Sequence, residues 1–426
     1  MSPPDQPLPA RLEIVPRSGA VAAVVHPPGS KSLTNRALVT AALARGVSRL
    51  LDPLEADDTR AMREGLRALG VSIDDVDDPW LVLGSAGEMS APEQPIDAYE
   101  AGTVARFLTA VAALVPGRVT ITGRGRLPHR PLDELGEALI QLGCKVEHGK
   151  ESLPVTVTGV RLGGGTVTVD PSRSSQFVSA LLLISPLATE TMEIVLTAPP
   201  VSRHYLTSTL EVMTAFGATV EDKEDRFLVE PSGYRSVSYR IEADASAAVY
   251  PLVAAAITAG HMVITGIPES STQPDLRVLD VLAAMGCRIE RGSGKIDLRG
   301  PEGPLRAVDV DLSEAPDGAL AMAVACLFAD EESRLRGLQT LRHKESDRLA
   351  ALESELRRVG GNARVEGSDL VIAPAPLRPA VVSTYGDHRI AMSLALVGLR
   401  QPGIIIDSPS VVTKTWPGYF TMLSQL

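Results

Sequence analysis

Two patterns of apolar and polar positions alternate along the chain. In the first, a small or charged cluster opens an Ala/Leu-rich run that predicts a helix: GSKSLTNRALVTAAL, AGTVARFLTAVAAL, SRSSQFVSALLLI, DASAAVYPLVAAA, PDGALAMAVACLF and GDHRIAMSLALVGL. With Ser30, Gly102, Ser174, Ala245, Asp317 and Asp387 as equivalent points, the steps are 72, 72, 71, 72 and 70 residues. In the second, an apolar residue plus Gly closes a helix and alternating strands follow around a polar turn. It occurs as ALGVSIDD, QLGCKVEHG, AFGATVEDKEDRFLVEP, AMGCRIERGSGKIDLRG and VGGNARVEGSDLVIAP, with Gly70, Gly143, Gly217, Gly286 and Gly360 spaced 73, 74, 69 and 74 apart. Gly just past the last apolar helical position is a stop signal, and a polar turn between alternating runs is a hairpin signal.

The first pattern has six copies and the second five, and the missing copy is divided between the chain ends. The helix around Tyr419 to Leu423 has no strands after it, whereas Arg11 to Val25 reads as a strand pair with no helix before it. If those strands complete the unit that the last helix begins, the repeat predicts two similar α/β domains, each of three units of about 71 residues. One would be discontinuous, residues 1–27 plus 243–426, and contain both termini; the other would be contiguous, residues 28–242. A chain of 426 residues is long enough for two such cores.

Each polar cluster stands at the start of its helix, where unpaired N–H groups and the helix dipole favour anions. That matters because the chain as a whole is acidic, with a formal net charge of -11. Such a surface repels nucleic acid, and with aromatics at only 4% there is little to stack bases on. Anion binding must therefore come from locally gathered Lys and Arg. The longest apolar stretches, such as Ala247 to Ala259, are interrupted by Tyr250 and Pro251 and are too short to span a bilayer. The Pro-rich start, Met1 to Ala10, has neither a basic nor an apolar signal region, so a cytoplasmic location is expected. Cys144, Cys287 and Cys326 are too far apart for a zinc site or a disulfide framework, and no metal is expected.

Several clusters concentrate chemistry. Pro27 to Arg36 resembles a phosphate loop but is not a Walker A motif, since Ser30 precedes Lys31 and Val25 holds the earlier glycine position. Alone it would read as an ordinary helix start with solvated cations. Gly102-Thr103 with Arg106 one turn on, and the basic run Arg124, Arg126, His129 and Arg130, would each pass for a capped helix or a charged loop. Arg173-Ser174-Ser175-Gln176 offers neutral hydrogen-bonding groups suited to hydroxyls and phosphate oxygens, of which capping explains at most one. Arg342 to Arg348 is the densest charge cluster and could be a solvated helix face. Tyr385-Gly386-Asp387-His388-Arg389 instead packs acid, imidazole and guanidinium into the start of an apolar helix, and Lys414 follows near the end.

Taken together, PGSKSLTNRA, RSSQFVSALL, HKESDRL, YGDHRIAM and TKTWPGYF resemble the enolpyruvylshikimate-phosphate synthase family, from Pro27 to Phe420. The resemblance implies two inside-out α/β domains with the active site in the interdomain cleft, and neither half holding a complete site. It implies transfer of the enolpyruvyl group of phosphoenolpyruvate to shikimate 3-phosphate by a monomeric enzyme without cofactor or metal. By motif match, Lys31, Ser32, Arg36, Ser174, Ser175, Gln176, Ser202, Asp317 and Lys344 would bind shikimate 3-phosphate. Lys31, Gly102, Arg126, Gln176, Arg348, Arg389 and Lys414 would receive phosphoenolpyruvate. Asp317 corresponds to the family's general base and Glu345 to its proton donor, with Lys31 as a further catalytic group. Protonating an enol-ether carbon needs an acid of raised pKa, which burial and neighbouring carboxylates would give Glu345.

Some positions depart from the family pattern. Glu100 stands where an amide is common, Thr340 replaces a frequent Asn, and Pro128 and His129 replace charged residues. The related UDP-N-acetylglucosamine enolpyruvyltransferases use a loop cysteine, and Val115 to Arg130 contains none. Intact Lys31, Asp317, Glu345 and Arg389 speak against a catalytically dead relative.

Overall fold

The computed structural model describes residues 8–426. The chain divides into a contiguous unit, Gly29–Ile241, and a second unit made of the segment up to Pro28 together with Glu242–Leu426.

The contiguous unit contains α1 (Lys31–Leu43), α2 (Asp57–Ala68), α3 (Gly102–Ala112), α4 (Asp133–Gln141), α5 (Gln176–Ile184) and α6 (His204–Ala215). The Ala/Leu-rich helices are apolar on almost every side, which is the pattern of a helix enclosed by its own domain. Every residue from Leu33 to Leu43 in α1 and from Phe177 to Ile184 in α5 is buried. By contrast α2 and α4 are one-sided, burying Ala61, Met62 and Leu66 or Leu135, Ala138 and Leu139, with Asp58, Thr59 and Arg63 also buried on α2.

Three four-stranded sheets surround these helices. In each, one parallel pair is extended by two antiparallel ones. Ser238–Arg240 runs parallel to Arg45–Leu51, which pairs antiparallel with Trp80–Ser85, and that strand with Ser72–Asp74. The same order holds for Ile96–Asp97, Gly117–Thr122, Val155–Gly159 and Lys145–His148. It holds again for Gly165–Val169, Met192–Leu196, Arg226–Val229 and Val220–Lys223. The inner strands alternate buried and part-exposed positions, as in Met192–Leu196, so each sheet covers the helical core with one face and meets solvent with the other.

The second unit contains α7 (Ala245–Ile257), α8 (Arg277–Ala284), α9 (Ala319–Cys326), α10 (Arg348–Arg358), α11 (His388–Gly398) and α12 (Tyr419–Gln425). α7, α9 and α11 pack on one another, and every residue of α9 and α11 is buried. Two sheets repeat the order just described, one of them built on His261–Thr265 and the other on Ser333–Arg336. The third has three strands: Ala380–Val382 parallel to Ile404–Asp407, which pairs antiparallel with Arg11–Glu13.

The N-terminal segment corrects one expectation. Arg11 to Val25 is not a strand pair, because its two strands join different sheets. Arg11–Glu13 pairs with Ile404–Asp407, whereas Ala22–Val25 runs parallel to His261–Thr265. Pro16 has no N–H to give a hairpin ladder, and two sheets each present an edge needing a partner. The linking residues are tied at both ends instead, Arg17 N–H to Leu399 O at 2.8 Å and His261 N–H to Val21 O at 2.8 Å.

Candidate functional site

In the contiguous unit the polar residues gather at the starts of α1, α3 and α5. Ser30 caps α1, its hydroxyl accepting from Leu33 N–H at 3.5 Å. Lys31 Nζ lies 3.1 Å from Asp58 Oδ2, a carboxylate buried in the first turn of α2. Arg36, one turn further along α1, is 2% exposed. Its Nε donates to Thr209 Oγ1 at 2.8 Å, and its Nη1 donates to Ser32 Oγ at 2.5 Å and Ser32 O at 3.0 Å. Its Nη2 donates to Ser179 Oγ at 3.4 Å and Tyr205 O at 3.1 Å. All these acceptors are uncharged, and burial pushes the Arg36 pKa down to about 10. A guanidinium desolvated without a counter-charge gains most from an arriving anion.

Gly102 opens α3, where two guanidinium groups crowd its Cα. A methyl group in its place would come within 2.6 Å of Arg106 Nη1 and 2.7 Å of Arg130 Nη1. Arg106 is fixed by donating to Gly102 O at 3.0 Å and Pro131 O at 2.6 Å. The basic loop thus brings Arg130 to Gly102, while Arg126 is exposed at its rim. Gly125 in that loop has φ +57 and faces the Glu100 carboxylate, whose Oε1 would be 2.5 Å from an added methyl. At α5, Gln176 Nε2 donates to Thr103 Oγ1 at 3.2 Å and its N–H to Ser174 Oγ at 3.2 Å. Its Oε1 is a buried acceptor with no hydrogen-bond partner. Ser175 is buried, as is Ser202, whose φ of +51 places it in the left-handed region.

In the second unit, six of the residues singled out in the sequence meet in one cluster. Arg348, at the start of α10, is 1% exposed and is its hub. Its Nη1 donates to Asp317 Oδ1 and its Nη2 to Glu345 Oε2, both at 2.8 Å. Its Nε and Nη2 grip the two oxygens of Asp387 at 2.8 and 3.2 Å. Asp387 also caps α11, accepting from Arg389 N–H at 3.0 Å, and accepts from Ser346 Oγ at 3.0 Å. Asp317 receives two further cations, Arg389 Nη2 at 3.1 Å and Lys344 Nζ at 3.5 Å. Lys414 is buried at the end of the 3₁₀ turn Pro409–Lys414.

This arrangement, with its motifs at the starts of buried helices, was compared with known proteins. The family model of EPSP synthase (3-phosphoshikimate 1-carboxyvinyltransferase) matches residues 15–423. The chain belongs to the EPSP synthase family. The 3-phosphoshikimate 1-carboxyvinyltransferase of Methanoculleus marisnigri is 39% identical over 413 residues, covering 96% of this chain and 98% of that protein. That of Rhizobium leguminosarum bv. trifolii is 40% identical over 427 residues, covering 98% and 97%. Among solved structures, EPSP synthase from Acinetobacter baumannii superposes with a TM-score of 0.81 at 24% identity, covering 97% of each chain. The enolpyruvyl transferase NikO from Streptomyces tendae gives 0.79 at 19% identity, covering 98% of this chain and 97% of that one. Both structural likenesses are of fold, and both agree with a two-domain α/β architecture.

The charges in this EPSP synthase family member follow from their neighbours. Burial alone would raise the Asp317 pKa, but Arg389, Lys344 and Arg348 outweigh it and hold the carboxyl well below its usual range. Burial likewise disfavours the charged forms of Arg348 and Arg389, and the surrounding acids reverse this and raise both. Tyr250, whose hydroxyl lies 3.3 Å from Arg389 Nη1, is pushed up to about 12 by burial. Among the described residues, no group of three His, Cys, Asp or Glu is placed to hold a metal ion, and no helix is long and apolar enough to cross a membrane. Sequence reasoning missed Asp58, Ser179, Thr209, Tyr250 and Asp275 as part of these networks. Only the doubled acid Asp57-Asp58 at a helix start carried a signal.

Proposed function

We propose that the protein transfers the enolpyruvyl group of phosphoenolpyruvate to the 5-hydroxyl of shikimate 3-phosphate. In this reading the hydroxyl oxygen bonds to C2 of phosphoenolpyruvate as its proton passes to Asp317, and C3 takes a proton from Glu345. Glu345, now a carboxylate, then takes a proton back from C3 of the tetrahedral adduct as the C2–O bond to phosphate breaks, so the C–H electron pair restores the C2=C3 double bond and inorganic phosphate leaves. Ser32 and Arg36 bind the shikimate phosphate with Ser174, Ser175, Gln176 and Ser202, and Lys344 seats the ring. Lys31, Gly102, Arg126, Gln176, Arg348, Arg389 and Lys414 receive phosphoenolpyruvate. Arg130, packed on Gly102, is better placed than Arg126 to face an anion there.

The observation that carries this reading is the shared clamp of Asp317 and Glu345 on Arg348, with Arg389 and Lys344 on the same aspartate. Both carboxylates lie on one buried guanidinium, and in this reading one serves as base and the other as acid. A carboxylate held by three cations is a weak base, so the donor's own charge completes the site. Phosphate and carboxylate oxygens that draw Arg389 and Lys344 away return basicity to Asp317 at the moment of binding.

A coupled assay for phosphate release from the two substrates tests the reaction. Asp317→Asn is expected to bind both substrates but turn over roughly 10²-fold or more slowly. Wild-type turnover in that variant would remove Asp317 from the role of base.

A further inference from the structure

One buried carboxylate beside Asp317 has no part in the reaction as written. Asp275, in the 3₁₀ turn Pro274–Leu276 before α8, is 2% exposed. Its Oδ1 accepts from Gly318 N–H at 2.9 Å, the residue directly after Asp317. Its Oδ2 accepts from Ser246 Oγ, in the first turn of α7. Glycine is required at 318 because an added methyl would lie 2.7 Å from Val278 Cγ2 and 3.2 Å from Asp275 Oδ1. The turn carrying Asp317 is thus pressed onto Asp275 and cannot move away without losing a buried hydrogen bond.

We propose that Asp275 is a positioning residue: by tying Ser246 of α7 and the backbone of Gly318 to one carboxylate, it fixes the Asp317 oxygens relative to the reacting hydroxyl. The inference rests on Asp317 acting as the general base. The bond to Gly318 matters because Arg348, Arg389 and Lys344 hold Asp317 through its side chain, whereas Asp275 holds the backbone beside it. A backbone anchor makes any pull by those cations reorient a side chain rather than drag the turn. Displacing a catalytic group by about 1 Å can cost about 10²-fold in rate.

The charged groups that face Asp275 are Asp317, before α9, and Arg389, on α11. Burial first, and then the Asp317 charge, push the Asp275 carboxyl up to about 6 against the opposing effect of Arg389. Its protonated form keeps an acceptor for Gly318 N–H, and an amide would do the same.

Four variants test this, with melting temperature measured for each. Asp275→Ala is expected to lower kcat about 10- to 100-fold with KM for both substrates nearly unchanged. Asp275→Asn should recover most of that loss, and its kcat should lack any inflection near pH 6 present in the wild type. Ser246→Ala, which removes one of the two ties, should fall between. A folded Asp275→Ala with wild-type kcat overturns the inference, as does a rise in KM with kcat intact, which would make Asp275 a binding group. If Asp275→Ala does not fold, Ser246→Ala decides: wild-type kcat there overturns the inference, and reduced kcat at unchanged KM supports it. Asp317→Asn separates the two readings. Normal turnover in Asp317→Asn refutes the base itself, whereas loss there without loss in the other variants refutes only the positioning role.

Discussion

Replacing Arg348 by Met should destabilise the unit that contains it more than any other single charge removal. The side chain is 1% exposed and holds three carboxylates, with Asp387 at 0%, Glu345 at 10% and Asp317 at 15% exposure. Asp317 would keep Arg389 and Lys344. Asp387 would keep only the Ser346 hydroxyl and a backbone N–H as hydrogen-bond donors from the ring around it. Removing one partner of a buried ion pair costs about 3–5 kcal/mol. At about 2–4 °C per kcal/mol for a unit of about 200 residues, the melting temperature should fall by roughly 6–20 °C. Scanning calorimetry at neutral pH reads this directly. The double change Arg348→Met with Asp387→Asn should regain a substantial part of the loss, because the stranded charge is gone. The deficit of the single variant should also narrow at mildly acidic pH. A buried carboxyl left without its cation has a folded pKa above its unfolded one, so protonation stabilises the variant. A single variant melting within about 2 °C of the wild type would refute the view that Arg348 neutralises these acids.

Three further outcomes follow from the same cluster geometry. Arg36→Met should raise KM for shikimate 3-phosphate by at least about 10-fold, the loss of a charge-assisted contact, yet shift melting by only a few degrees, since the removed cation has uncharged partners; steady-state kinetics with calorimetry distinguishes the two effects. Glu100→Asn removes a carboxylate that faces Gly125 in the basic loop, so both KM for phosphoenolpyruvate and the inhibition constant for its mimic glyphosate should fall; values unchanged in an inhibitor titration would exclude Glu100 from that pocket. If donor binding draws cations from Asp317, the acidic limb assigned to this base should lie at higher pH in the profile of kcat than in that of kcat/KM, and coincident limbs would contradict it.

Much of this was legible in the sequence because it was written in local clusters. The buried helices announce themselves as Ala/Leu runs, and their polar openings name Lys31, Arg36, Gly102, Gln176, Asp317 and Arg389 at nearly constant spacing. What escaped was non-local. Asp275 lies in STQPDL, an unremarkable polar turn, and becomes notable only when Gly318 and Ser246 arrive from elsewhere in the chain. The Arg36 partners Ser179, Thr209 and Tyr205 come from α5 and α6, and no spacing rule links them to α1. Arg126 and Arg130 are four residues apart in a loop broken by Gly125 and Pro128, where no helical period says which one turns inward. The N-terminal strands misled for a related reason. Sequence neighbours in extended conformation usually pair with each other, but here each strand completes a different open edge.

The two most enclosed arginines show how one side chain can be buried for opposite ends. Arg348 is surrounded by Asp317, Glu345 and Asp387, so it has counter-charges within the protein before any substrate arrives. In the proposed reaction it is the scaffold for an acid and a base. Arg36 has hydroxyls, carbonyls and the Phe107 ring rather than carboxylates, and burial lowers its pKa where the acids around Arg348 raise that one. Its desolvation is met by dipoles, which leaves the charge to be answered by a ligand. In the proposed reading, the cost of holding such a group is borne by the fold in the unliganded state and returned when the shikimate phosphate binds. Arg389 and Lys344 fall between these limits, since both lean on the single Asp317 carboxylate and each can exchange it for a substrate oxygen. The number of carboxylates around each, greatest for Arg348 and least for Arg36, therefore sets the order in which these cations should depend on the protein rather than on the substrate for their counter-charge.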